Sequence, residues 1–134
     1  MGQLADLVPV ARSRADEVLA ADVPAEDFGG RDVKGLGLIA LEQLAARCGA
    51  PEEEGLEDLA YEEEKAVFLV HPALSAAARS WSEGDAAALA AWWSGIEEHE
   101  GFAPEEVREY LEALREVALE AERQGVDVLY WMCV

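Results

Sequence analysis

Two histidines and two cysteines, His71, His99, Cys48 and Cys133, are the side chains here best suited to nucleophilic or metal chemistry. A hydrolytic nucleophile needs an adjacent base and an acid to orient it. The serines offer no such setting. Ser13, Ser75, Ser80, Ser82 and Ser94 fall at predicted helix starts or in alanine-rich stretches, and none lies in a G-x-S-x-G elbow. No spacing ties Cys48 to His71. Neither cysteine belongs to a CxxC pair, and both lie in apolar stretches, so they read as buried, reduced thiols. His99 sits in Glu97-Glu98-His99-Glu100, a cluster that would bind a divalent cation only adventitiously. It is not H-E-x-x-H, and its neighbours diverge on a predicted loop. His71 follows an apolar run and precedes Pro72, which places it at the end of a strand. Functional residues gather at such ends in α/β sheets, so a pocket near His71 is the enzyme or ligand-binding alternative. The expected state there is a partly buried imidazole hydrogen-bonded to backbone. Phosphate-binding glycine motifs are absent, and the GLG at 35–37 lies in a helix-like stretch. The chain is read as a non-enzyme with no cofactor and no metal.

The charge says more than these groups. Twenty-nine acids against ten bases give a formal net charge of −19 at pH 7. Such a field repels phosphates and anionic lipid and attracts basic protein surfaces. Nucleic acid and membrane are therefore disfavoured as partners, and a basic protein is favoured. The acidity does not imply disorder, because 51% of the residues are hydrophobic. A chain of 134 residues suits one domain, 1–134. No apolar run reaches ~18 residues. The opening MGQLADLVPVARSR lacks the apolar core of a secretory signal, and Gly2 lacks the Ser or Thr an acylation signal needs, Asp6 standing there instead. The expectation is a soluble cytoplasmic protein. Abundant Ala, no Asn or Thr, and lysine only at 34 and 65 suggest a GC-rich genome. Part of the acidity then has a background source, in base composition or salt adaptation, and an acidic housekeeping domain of unknown function is the alternative reading that follows from it.

Hydrophobic spacing outlines the elements. Residues 4–10 form a short strand with Pro9 near its end. Ser13 with Asp16 and Glu17 starts a helix that stops near Ala21. A loop with Gly29-Gly30 follows, and a mostly apolar helix spans about 33–48. Residues 51–64 carry eight acids and no base. Leu56, Leu59 and Ala60 there suggest one helical turn in a solvated loop. Residues 66–70 (AVFLV) are a strand, and Pro72 opens a helix. Ser82 caps another helix reaching Trp92-Trp93. After the polar link IEEHEGF, Pro104 starts the longest helix, which Gly125 ends. Residues 128–134 are apolar on both faces, as in a covered central strand. The fold class is α+β: a sheet of two to four strands with about six helices.

This order resembles the YfbM-like family of small bacterial proteins, a domain family of unknown function. The residues that carry the resemblance are Asp32-Val33-Lys34 before an apolar helix and Tyr61 ahead of AVFLVHPAL. The Asp-Ala-Ala-Ala-Leu helix at 85–89 ending in tryptophan, Tyr110-Leu111, Gly125 and Trp131 complete it. It spans nearly the whole chain as a pattern of elements. Gly35, Leu36 and Gly37 follow the lysine where the family tends to place Trp and His, and the middle is short. The resemblance implies an α+β fold and supplies no reaction.

On the long helix, Glu105–Glu109, Glu112–Glu116 and Glu116–Glu120 are like-charged at i,i+4, each costing a few tenths of a kcal/mol. Acid kept against that cost suits a protein that neutralises a basic partner. An immunity protein blocking a basic toxin, or another inhibitor acting by contact, fits this pattern. Aromatic anchors inside an acidic rim would be the hot spots. The candidates are Tyr61, Trp92, Trp93 and Phe102, rimmed by Glu62, Glu63, Glu64, Glu97, Glu98 and Glu100. Neighbouring helical positions point about 100° apart, so one of the two tryptophans is expected in the core and the other near the surface. Exposed aromatics would equally serve a homodimer.

Overall fold

The computed structural model describes residues 3–134; Met1 and Gly2, with the Gly2 acylation motif, lie outside it. The chain runs β1 (Leu4–Pro9), α1 (Ala15–Ala20), α2 (Pro24–Phe28), β2 (Arg31–Asp32), α3 (Leu38–Arg47), β3 (Leu56–Glu62) and β4 (Lys65–Val70). It continues with α4 (Pro72–Ser80), α5 (Glu83–Trp93), α6 (Pro104–Gln124) and β5 (Val128–Cys133), and short 3-10 turns occupy Arg12–Arg14 and Glu97–His99. The class is α+β, with a long C-terminal helix followed by a strand.

The strands form one antiparallel sheet in the order β2-β1-β5-β4-β3. This corrects the expected two to four strands to five. β5 sits at the centre, between β1 and β4, and like β4 it is apolar on both faces. Its Val128 and Tyr130 enter the larger core with Ala5, Leu7, Phe68 and Val70, beneath α3, α4 and α6. Its Leu129 and Trp131 enter a smaller core with Val8, Val67, Leu69, and Val18 and Leu19 of α1. Alternation along a strand sends successive side chains to opposite faces, so two cores need two helical layers.

The strands missed by periodicity are β2 and β3. Acids obscured β3, and a bulge between Asp58 and Ala60 broke its two-residue rhythm. The bulge spaces Leu56, Leu59 and Ala60 like one helical turn, so the expected turn is instead an edge strand. β2 follows α2, where a plain loop was expected. Asp6 of β1 anchors α2 by accepting a hydrogen bond from the Ala25 N–H at 2.8 Å, and burial raises its carboxyl above the usual range. Gly30 then passes so close to β1 that a Cβ would strike the Leu7 carbonyl.

α3 begins at Leu38, not near Val33. The Val33 and Gly35 N–H groups donate to Ala5 and Gln3 carbonyls at 2.8 and 3.1 Å, which holds this stretch against β1. Gly35 has φ +91°, and a Cβ there would meet the Tyr110 hydroxyl at 2.9 Å. Ser13 caps nothing; Arg14 is the residue before α1 and makes no side-chain cap. Ser82 and Asp85 do form a reciprocal capping box at the start of α5. α6 ends at Gly125 with φ +71°.

Candidate functional site

The expected contact residues fall on two separate structures. Tyr61 and Glu62–Glu64 form the tip of the β3–β4 hairpin. Glu62 lies opposite Lys65 in the ladder, leaving Glu63 and Glu64 as a two-residue connection. The tip is tied to the sheet, since the Val134 N–H donates to the Glu64 carbonyl at 2.9 Å. Tyr61 is 82% exposed, and the three glutamates are exposed beside it. Glu63 has a left-handed backbone, φ +45°.

Trp92, Trp93, Glu97, Glu98, Glu100 and Phe102 lie where α5 passes through the 3-10 turn into α6. One tryptophan is core and the other near the surface, as the 100° offset requires. Trp93 is fully buried, and its indole N–H donates to the Ala40 carbonyl at 3.0 Å. It reaches no surface, so it leaves the set of contact residues. Trp92 is half-buried, with the Arg47 guanidinium 4.9 Å above its ring. Phe102 is half-buried, and Glu97, Glu98 and Glu100 are exposed. α3 packs against both β3 and the 3-10 turn, so the two acidic tracts flank it.

His99 overturns its expected place in a solvated acidic loop. It is 1% exposed and wedged among aromatics. Its ring stacks on Phe102 at 5.3 Å and meets Trp93 edge-on at 4.7 Å; the Tyr110 ring lies at 6.1 Å. Among the described residues neither ring nitrogen makes a hydrogen bond of good geometry, the Glu98 carbonyl being near but poorly aligned. Burial pushes the imidazole below its usual range, more than the nearby Glu98 carboxylate and backbone carbonyl draw it up. The turn is therefore pinned to the core by a side chain whose burial disfavours its charged form. The aromatic neighbours Trp93, Phe102 and Tyr110 were the sequence signal for this, masked by the surrounding glutamates.

A third location is the cleft at the opposite end of β3, about 490 Å³ in volume. His71 lines it with Arg12, Glu53, Glu54 and Glu57. His71 is half-buried, and its Nδ1 accepts the Ala73 N–H at 3.0 Å, capping α4. This is the backbone-bonded imidazole expected there. Among the described residues no carboxylate hydrogen-bonds to His71, so the cleft holds no assembled acid–base pair. Arg12 is directed to Asp127, donating its backbone N–H to that carboxylate at 2.8 Å.

The acids are unevenly compensated. Among the described residues the ion pairs are Arg12–Asp127, Arg14–Glu17, Arg31–Glu116, Arg79–Glu122, Arg108–Glu112 and Arg123–Glu120. None uses an acid from 51–64 or from 97–106, and even Glu62 opposite Lys65 makes no ion pair. Glu42 of α3 joins the first tract. Burial raises its carboxyl, and Glu53 and Asp58 raise it further. Sequence reading missed this convergence, because Glu42 is distant along the chain.

Cys48 and Cys133 are both free and half-buried; burial raises the Cys48 thiol more than Arg47 lowers it, which disfavours its thiolate. Among the described residues no group of three or more His, Cys, Asp or Glu side chains is placed to hold a metal ion. No helix there is long and apolar enough to cross a membrane. Comparison with protein-family models, curated proteins and solved structures finds no match to this chain. The YfbM-like resemblance thus rests on the order of elements alone.

Proposed function

We propose that this protein is a small acidic binding module that neutralises a basic protein partner by contact, as an immunity protein or inhibitor does to a basic toxin. One observation carries the reading. Among the described residues the ion pairs go to acids of α1, α6 and Asp127 and none goes to an acid of 51–64 or 97–106, although Lys34, Arg47, Lys65 and Arg115 stand outside any ion pair. Uncompensated charge of one sign, gathered beside the exposed Tyr61 and the half-buried Phe102, speeds encounter with a basic surface and offers aromatic anchors to it. Strain supports the same reading. Among the described residues the non-glycine positions with left-handed backbone are Glu53 and Glu63, both in the first acidic tract. The partner is a protein in this reading, because the same field opposes nucleic acid and anionic membrane. The protein works in the cytoplasm, without cofactor.

Co-expression with basic proteins encoded beside its gene tests this. The wild-type chain is expected to bind one of them at low salt and restore growth that it inhibits. A variant carrying Glu62→Lys, Glu63→Lys, Glu97→Lys and Glu98→Lys is expected to do neither. A wild-type chain that binds none and changes no growth phenotype would remove the proposal.

A second reading, ligand binding or catalysis at His71, has the 490 Å³ cleft in its favour. Full function of His71→Ala in cells would end it.

A further inference from the structure

We infer that the free edge of β3 is the docking site, and that an extended basic segment of the partner pairs with it as a sixth strand. This rests on the basic-partner reading and narrows it to one element and one mode of recognition. β3 is the outermost strand on its side, seven residues long, and no strand among the described residues covers its far edge. Unpaired N–H and C=O groups along such an edge are a template for another chain. The opposite edge, β2, has two residues, too few for the same purpose, and its Arg31 is held by Glu116.

The chemistry along β3 selects the occupant. Glu57 and Asp58 are exposed within the strand, and Glu62 closes it. At its start the cleft sets Glu53, Glu54 and Glu57 on its wall beside Arg12, which is already paired to Asp127, and leaves a space able to take a long basic side chain. At its end Tyr61 stands 82% exposed, a surface for a cation to cover. A second copy of this chain is the wrong occupant. Edge-to-edge pairing of two copies would set carboxylates against carboxylates, and like charges opposed across a ladder are destabilising. The same acids therefore suppress self-pairing and admit a basic strand, which is specificity by both repulsion and attraction. The bulge at Asp58–Ala60 twists the edge and divides pairing into two short runs.

The test uses an eight-residue peptide of alternating Arg and Val, and the same peptide with every backbone amide N-methylated, so that neither of its edges can donate. Both carry equal charge, but only the first can complete the ladder. Binding is followed by fluorescence anisotropy at low salt, and amide exchange by NMR. The unmodified peptide is expected to bind at least about tenfold tighter, since two or three lost hydrogen bonds amount to that. It is also expected to slow exchange of β3 amides. Glu57→Gln with Asp58→Asn should weaken it, while Glu97→Gln with Glu98→Gln should not. Equal binding of the two peptides, or equal losses in both variants, overturns the edge and leaves the basic-partner reading standing. No binding of either peptide also overturns it, and the co-expression test then decides the wider reading independently. A dimer with β3 amides already protected overturns it in favour of a second copy.

Discussion

Replacing His99 by phenylalanine should stabilise this protein, against the usual direction of a change in a packed core. The neutral imidazole has one donor and one acceptor, and both are buried without a hydrogen bond of good geometry. Each unmade hydrogen bond costs about 1–3 kcal/mol. Phenylalanine keeps the stack on Phe102 and the edge contact with Trp93. Its larger ring costs about 1–3 kcal/mol where the pocket cannot yield. The net expectation at about pH 7.5 is a gain of about 1–2 kcal/mol, or about 3–6 °C in Tm. The pH dependence supplies a second readout. Because the folded-state pKa of His99 is depressed, its neutral state is held without penalty above the unfolded value of about 6.5. As pH falls below that value, the unfolded chain takes up a proton that the folded chain refuses. Stability is lost until the folded pKa is passed, at up to about 1.4 kcal/mol per pH unit. The wild type should therefore fall behind His99→Phe as pH drops from about 7.5 to 5.5. Relief of the overall negative charge acts on both proteins and cancels in the difference. His99→Gln should remove the slope without the gain. Thermal melts by circular dichroism at both pH values decide the matter. A phenylalanine variant less stable than wild type, with a gap unchanged by pH, would show that the imidazole nitrogens are satisfied in solution and refute the reasoning.

Four other outcomes follow from the geometry. Tyr130→Phe should cost about 1–3 kcal/mol in chemical denaturation, because the Tyr130 hydroxyl donates to the Leu36 carbonyl at 2.6 Å and accepts from Gln3 Nε2 at 2.9 Å. Glu42→Gln should raise Tm at pH 7 by the equivalent of about 0.5 kcal/mol, a small effect because solvent screens a half-buried carboxylate. The raised pKa of Glu42 means that the wild type regains this as pH falls through the folded value, so the two melts should converge near pH 4. Glu63→Gly should stabilise by about 0.5–1 kcal/mol by relieving the left-handed backbone, whereas Glu63→Gln, which keeps the strain, should not. Added salt should raise Tm by screening a net charge of −19, and a flat response would show that self-repulsion is slight.

The elements legible in the sequence are those whose local pattern and tertiary role agree. β5 reads as central because both its faces are apolar, and it lies between β1 and β4. α6 reads cleanly because Val107, Tyr110, Leu111, Leu114, Val117, Ala118 and Ala121 keep helical spacing and all are buried. The pair Trp92-Trp93 had to split between core and surface, but only packing against Ala40 decides which indole goes inward. The illegible parts are those where tertiary contacts override local signals. At β3 a bulge imitates helical spacing, and charge is tolerated because one edge faces solvent. Before α3, backbone hydrogen bonds to β1 hold residues 33–35 out of the helix. His99 is hidden by polarity, since a histidine among glutamates reads as solvated until the rings that enclose it are placed. The exposure of Tyr61 and its glutamates was readable. The edge strand that carries them, and the Glu42–Glu53–Asp58 convergence, were not, because they depend on pairing between distant segments.

Two origins compete for the acidity, and they differ in where they put it. Compositional bias toward GC-rich codons fills any solvent-facing position, and the unrelieved Glu–Glu pairs on α6 are what it would leave behind. It gives no reason to place glutamate where the backbone is left-handed. Glycine is encoded by codons at least as GC-rich, the chain uses it eleven times, and at φ +66° and φ +45° it would remove strain that Glu53 and Glu63 retain. Nor does bias explain why the ion pairs fall on α1, α6 and Asp127 and none on the tract around β3, although Arg12 lines the cleft and Lys65 lies opposite Glu62. Those two glutamates bracket the strand, one in the cleft before it and one at the tip after it. Background acidity accounts for the size of the net charge. Its uncompensated and strained portion around β3 requires a reason specific to that edge, and a basic strand laid along it is one that meets the geometry.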